Sequence, residues 1–130
     1  MNTDEHGWNR ITETIIGCAY RVANELGCGF LEKVYENALA HELRKSGLSV
    51  EQQKPITVRY DGVVVGDYVA DLVVEGVILI ELKCCRNLDE IHEAQCLNYL
   101  KATDLPICLL INFAKPKFDI KRFAGKSLRS

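Results

Sequence analysis

The chain has 130 residues, the usual size of one domain, so a single domain over 1–130 is expected. Hydrophobic residues make up 48% and charged residues 26%, which excludes a disordered chain and a need for disulfide or zinc staples. A net charge of −2 counts against a protein that coats nucleic acid by charge alone.

The N-terminal Met1-Asn2-Thr3-Asp4-Glu5 lacks the basic and then apolar pattern of a secretory signal. Residues 8–26 predict a helix, because Trp8, Ile11, Ile15, Cys18, Val22 and Leu26 recur at three- and four-residue spacing. Gly27-Cys28-Gly29 stops it, as glycine does just past a helix end. Residues 30–46 predict a second helix, with Leu31, Val34, Tyr35, Ala38, Leu39 and Leu43 as its apolar face and Ser46-Gly47 at its end. Glu36, Glu42 and, later, Glu93 are expected on solvated helix faces.

Residues 48–83 are strand-rich. Val50 opens a strand, and Ile56–Tyr60 is β-branched and aromatic. Asp61-Gly62 is a strong hairpin signal, followed by Val63-Val64-Val65 and then Gly66-Asp67. Two better strands follow, Tyr68–Val74 and Val77–Lys83, joined across Glu75-Gly76. Residues 88–102 predict a third helix, capped by Asn87 or Asp89. Pro106 introduces a buried strand, Ile107–Ile111, and Phe118–Phe123 predicts a short edge strand. The order α-α-β-β-β-α-β implies one mixed sheet with helices packed on it. The apolar runs Val77–Ile80 and Leu105–Ile111 fall far short of the ~20 residues a bilayer requires, so no membrane is expected as a partner and the expected compartment is the cytoplasm.

Six cysteines occur, none as a C-x-x-C pair, and read as small hydrophobic thiols rather than as a zinc site. From Lys115 onward the chain carries Lys115, Lys117, Lys121, Arg122, Lys126 and Arg129 against Asp119. That tail suits either phosphate contact or simple solvation.

The chemistry concentrates on 68–83. Side chains alternate along a strand, so Val77, Leu79, Glu81 and Lys83 share one face and Ile78, Ile80 and Leu82 the other. A strand apolar on both faces is covered on both, which buries Glu81 and Lys83 at least in part. Buried charges are paired or hold a metal. A two-residue turn at Glu75-Gly76 sets Asp71 opposite Ile80, pointing away from Glu81. A three-residue turn, Val74-Glu75-Gly76, sets it opposite Leu79, diagonal to Glu81 at about 7 Å. A shared site therefore requires an odd turn or a nearby bulge. Two such carboxylates suit a hard cation such as Mg²⁺, and Lys83 can steady an attacking water or the charge on phosphorus.

On the third helix Leu88, Ile91, Gln95 and Tyr99 share a face expected to meet the sheet. By residue type alone Gln95 and Tyr99 read as a core amide and a buried tyrosine, and Glu32 as an acid favoured by a helix N-terminus.

Gly29-Phe30-Leu31-Glu32-Lys33-Val34-Tyr35 matches G-x-x-E-x-x-Y. Asp71 followed by Ile80-Glu81-Leu82-Lys83 resembles the D…(D/E)-x-K signature, and Gln95-Cys96-Leu97-Asn98-Tyr99 resembles the Q-x-x-x-Y element of exonuclease-like branches. Together with Leu110-Ile111-Asn112-Phe113, these resemble the GxxExxY protein family, a branch of the PD-(D/E)XK nuclease superfamily, from about Ile11 to Phe123. Ala70 stands where the superfamily has a variable proline. The resemblance implies an α/β fold with an αβββαβ core, a central mixed sheet flanked by helices, and an extra N-terminal helix. It implies a Mg²⁺- or Mn²⁺-dependent nuclease acting on DNA or RNA, with Asp71 and Glu81 as metal ligands, and Glu32 and the Leu82 carbonyl as further ones. Lys83 positions water, and Gln95 and Tyr99 orient substrate. The alternative is a non-catalytic module that binds nucleic acid or protein. A homodimer would supply the surface that a small acidic chain lacks for gripping a long duplex.

Overall fold

The computed structural model describes residues 5–85, 88–114 and 118–126. Asn87 as a cap, and Lys115, Lys117 and Arg129 of the basic tail, lie outside the described residues. The elements are α1 (Glu5–Leu26), α2 (Glu32–Lys45), β1 (Val50–Tyr60), β2 (Val63–Val74), β3 (Ile78–Lys83), α3 (Glu90–Thr103), β4 (Ile107–Asn112) and β5 (Asp119–Ala124). The five strands form one sheet in the order β1-β2-β3-β4-β5. Pairing is antiparallel except between β3 and β4, which run parallel and are connected by α3. A parallel pair needs such a long crossover, and a helix supplies it.

Both sheet faces are covered. On one, Ile15, Cys18, Ala19 and Val22 of α1 and Tyr35, Leu39, Ala40 and Leu43 of α2 pack on Leu72, Val74, Ile78, Ile80 and Leu82. On the other, Cys96, Tyr99 and Leu100 of α3 pack on Ile56, Val73, Leu79, Cys108 and Leu110. The alternation read from the sequence thus sends 78, 80 and 82 to one side and Leu79 to the other. This is the α/β, mixed-sheet architecture expected, with α1 as the extra helix.

Several boundaries differ from expectation. Val63–Val65 and Tyr68–Val74 belong to one twelve-residue strand, because Gly66 is absorbed at a bulge where Val58 pairs with Gly66 and Arg59 with Val64. Leu31 is the N-cap of α2 and is 80% exposed, and Val34 is also exposed. The buried face of α2 is rotated to Tyr35, Glu36, Leu39, Ala40 and Leu43. Ile91 does not meet the sheet; it is 76% exposed. At 3.6 residues per turn it lies roughly 130° round from the face set by Cys96, Tyr99 and Leu100. Asp89 caps α3 as expected, its carboxylate accepting from the Ile91 and His92 amides.

Gly125, just beyond β5, donates its amide to the Pro106 carbonyl at 2.6 Å. A Cβ there would overlap the Leu105 carbonyl oxygen, which is backbone and cannot swing aside. Gly125→Ala is expected to cost about 1–3 kcal/mol, the usual range for overpacking. Urea denaturation checks this, and an unchanged midpoint would contradict the packing described.

Candidate active site

The turn after β2 decides where Asp71 points. Glu75 and Gly76 are both left-handed, with φ of 54° and 67°, and the Val77 amide donates to the Val74 carbonyl. Val77 is then an extra residue, so Val74 pairs with Ile78, Val73 with Leu79 and Leu72 with Ile80. The loop is three residues long, as a shared site requires, but it is Glu75-Gly76-Val77 rather than Val74-Glu75-Gly76. One step further in this register Asp71 stands directly opposite Glu81, closer than the diagonal placement.

At that step the backbone ladder gives way to side chains. The Asp71 amide donates to Glu81 Oε2 at 2.9 Å, and the Leu82 amide donates to Asp71 Oδ2 at 2.8 Å. Each carboxylate thus occupies an amide of the opposite strand. On the other flank of β2 the register with β1 runs unbroken past Asp71, from Val50↔Val74 to Val58↔Gly66. Gln53, in the β1 stretch that faces Asp71, has a left-handed backbone at φ 53°. A non-glycine residue held there stores strain, which tends to mark functional sites.

Both carboxylic acids are held above their ordinary range. Glu81 is buried, and burial, followed by the nearby Asp71 charge, pushes its carboxyl up to about 8. Glu32 adds to this, while Lys83 and the Asp71 amide oppose it. Asp71 is raised too, first by burial and then by Glu36, against the Leu82 amide, Lys83 and Gln53. Lys83 makes no ion pair within 4 Å among the described residues, so it acts on both acids as an unattached positive charge.

Neighbouring strands fix the backbone around Lys83. Its carbonyl accepts from the Phe113 amide at 2.9 Å. The buried Asn112 side chain accepts from Cys85 and Ala114 amides and donates to the Cys85 carbonyl. Phe113 stacks on Tyr35 with ring centroids 4.6 Å apart. Tyr35 in turn donates its hydroxyl to the Gly27 carbonyl at 2.6 Å and accepts from the Phe30 amide. Gly29 needs its φ of 109°, which side-chain-bearing residues rarely adopt. The glycine and tyrosine of G-x-x-E-x-x-Y therefore shape the α1–α2 loop. Glu32 is left exposed at the start of α2, within electrostatic reach of Glu81 and Cys84.

On α3, Gln95 Nε2 donates to the Tyr99 hydroxyl at 2.6 Å. Tyr99 is buried, its hydroxyl is raised first by burial, and it feels the charges of Glu81 and Asp71. Asp71, Glu81, Lys83, Gln95 and Tyr99 are thus gathered on the α3 side of the sheet, while Glu32 approaches from the α2 end.

Glu36 corrects the sequence reading. Expected in solvent, it is only 4% exposed. It accepts from Gln53 at 2.7 Å, from Gln52 at 2.7 Å and from Lys33 at 3.1 Å. Gln53 also reaches Asp71 Oδ1 at 3.4 Å, linking Glu36 to the site. A signal was present in the sequence: Glu36 lies three, four and seven residues before Leu39, Ala40 and Leu43, on their stripe. Glu42 and Glu93 are partly exposed and pair with Arg21 and Lys45, and with Lys121. Cys84 and Cys108 suit the inert reading: burial raises the Cys84 thiol to about 11, and a hydrogen bond between Cys108 and Cys96, together with burial, raises the Cys108 thiol well above its ordinary value.

The donors able to hold a cation are carboxylate oxygens, which suit hard Mg²⁺ or Mn²⁺ rather than zinc. Among the described residues no group of three His, Cys, Asp or Glu is already close enough to hold a metal ion. Mg²⁺ commonly takes one or two carboxylates and fills its remaining positions with water and phosphate oxygens, so the Asp71–Glu81 pair fits it.

No curated protein sequence matches this chain. Two solved structures share the fold at low identity. The crystal structure of SSO0001 matches 72% of this chain and 49% of its own, at 17% identity and a TM-score of 0.57. This chain thus spans about half the length of that protein. An alkaline exonuclease from Laribacter hongkongensis matches 98% of this chain and 73% of its own, at 14% identity and a TM-score of 0.54. Residues 9–123 match the family model of the PD-(D/E)XK nuclease superfamily, and the chain belongs to that superfamily.

Proposed function

We propose that this chain is a Mg²⁺- or Mn²⁺-dependent nuclease that hydrolyses phosphodiester bonds of DNA or RNA, in the GxxExxY branch of its superfamily. One observation carries this reading: two carboxylates, the buried Glu81 and the half-buried Asp71, replace the strand ladder where β2 meets β3, with Lys83 on the next same-side position. Burial and the Asp71 charge raise Glu81, burial and the Glu36 charge raise Asp71, and a bound cation is what would offset that cost.

Asp71 and Glu81 are the metal ligands in this reading, joined by Glu32 and the Leu82 carbonyl. The cation would supply charge stabilisation at phosphorus and a more acidic bound water. Lys83 orients the attacking water and offsets charge developing on the phosphoryl oxygens. Tyr99, fixed by Gln95, lines the approach on the α3 side and orients the substrate. Glu36 and Gln53 hold Asp71 from behind and touch no substrate.

A cleavage screen tests the proposal, with Mg²⁺ and with Mn²⁺, on single- and double-stranded DNA and RNA, beside Glu81→Ala. Cleavage by the unmutated protein and none by the variant is expected. If the unmutated protein cuts none of these substrates, the nuclease reading fails. Gln53→Ala removes one donor to Asp71 and the link from Glu36 to it. An activity loss of roughly 10–100-fold is expected, as for other groups that orient a metal ligand. Steady-state cleavage rates check this, and an unchanged rate would show that Asp71 needs no such support.

A further inference from the structure

Beyond the carboxylates a cleft lies between the β1–β2 hairpin and α3. The β2–β3 ladder ends at Leu72↔Ile80, so Val63–Ala70 pairs with β1 but not with β3. On that side lies a cavity of about 300 Å³, lined by Val58 and Tyr68 of the hairpin and by Asn98, Tyr99 and Lys101 of α3. This is at the small end of ligand-binding sites.

The lining has the chemistry of a nucleobase site. The Tyr68 and Tyr99 rings pack against each other, 5.6 Å apart and tilted at 51°, and Tyr99 is buried, so Tyr99 backs Tyr68 and Tyr68 supplies the open stacking surface. Tyr68 is 51% exposed, leaving a π-face open to the cleft. The Asn98 amide makes no side-chain hydrogen bond among the described residues, so its donor and its acceptor are both available to a base edge. Lys101 is exposed at the rim, within reach of a phosphate. Tyr99, which lines the cleft, also feels the Asp71 and Glu81 charges, so the cleft lies within electrostatic reach of the two carboxylates.

Net charge argues the same way. A chain of charge −2 with an acidic centre gains little from the counterion release that drives binding to duplex phosphates. Affinity then has to come from contacts that every base can make, and stacking on aromatic rings is the main one. Bases inside a duplex cannot offer their faces; unpaired ones can.

We propose that the cleft between β2 and α3 is a nucleobase subsite, in which an unpaired base stacks on Tyr68, itself backed by Tyr99, and meets Asn98, directing the enzyme to single-stranded or frayed nucleic acid. The subsite rests on the nuclease reading for its role but is measurable without cleavage.

The test uses the full chain in chelator, with fluorescein-labelled single-stranded DNA and RNA oligonucleotides and their duplexes, read by anisotropy. The unmutated protein is expected to bind single strands at least tenfold more tightly than duplex. Tyr68→Ala is expected to lose roughly 10–100-fold on single strands, with Tyr68→Phe retaining affinity because the ring does the stacking. Asn98→Ala, on an exposed helix position, is expected to lose several-fold and serves as a second variant independent of the hairpin. Equal single-strand affinity in Tyr68→Ala and the unmutated protein, or a preference for duplex, overturns the subsite. Tyr68-dependent binding by a protein that cleaves nothing supports the subsite and sinks the nuclease reading alone. Cleavage indifferent to Tyr68, with KM unchanged, does the reverse.

Discussion

Glu81→Gln is expected to abolish cleavage while making the metal-free protein more stable at alkaline pH. The two effects share one cause. The folded chain holds the Glu81 proton up to about pH 8, whereas its ordinary value is 4.5. Between those values the unfolded chain releases a proton that the folded chain keeps. Stability from this group is therefore full below pH 4.5 and is lost as pH rises through about 8. The shift corresponds to a loss of up to roughly 5 kcal/mol across that window. Glutamine retains an oxygen for the Asp71 amide but carries no titrating group. Urea denaturation in chelator from pH 5 to 8.5 should show the unmutated protein weakening and the variant nearly flat on this account. Parallel curves would mean that the site is more open to water than its burial indicates. With Mg²⁺ the variant lacks a charged ligand, and cleavage should fall by at least ~10²-fold.

Lys83→Ala is expected to cost roughly 10²–10⁴ in cleavage rate without unfolding the chain. Lys83 is partly exposed at the end of β3 and makes no close ion pair among the described residues, so little packing is lost. The carboxylates keep their amide partners, so thermal stabilisation by Mg²⁺ should survive the substitution. Melting temperatures with and without Mg²⁺, measured beside cleavage rates, separate the two roles. If stabilisation by Mg²⁺ disappears together with activity, Lys83 works by holding the acids together rather than by acting on water.

The two substitutions test different halves of one arrangement. Glu81 is buried and is costly to keep charged; Lys83 is accessible and cheap to keep. A site that accepts the first cost without a return in stability is retained for chemistry, and the pH curve measures that cost directly.

Much of this was legible in the residues. Periodicity located three helices and the buried strands, because a 3.6-residue or two-residue repeat reports which side of an element meets the core. Asp61-Gly62 and Glu75-Gly76 marked the hairpins, since each pair tolerates left-handed backbone. Apolar residues on both faces of 77–83 showed that Glu81 is buried before any coordinates were needed. The parity condition on the turn was also readable, and the three-residue loop meets it.

Other features depended on contacts between distant segments. The choice of Glu75-Gly76-Val77 as the loop, which moves Asp71 from a diagonal to a directly opposed position, follows from how Val74 and Ile78 seat in the shared core. Glu36 is buried because Gln52 and Gln53, sixteen and seventeen residues away, happen to meet it. Ile91 is exposed because α3 turns its Cys96–Tyr99–Leu100 face to the sheet. Residue order and periodicity were enough for the elements in outline, the burial of Glu81 and the chemical type of the hairpin. Tertiary structure decided the register of the two acids and the partners behind them, because hydrogen bonds between remote strands and helices are not encoded in local periodicity.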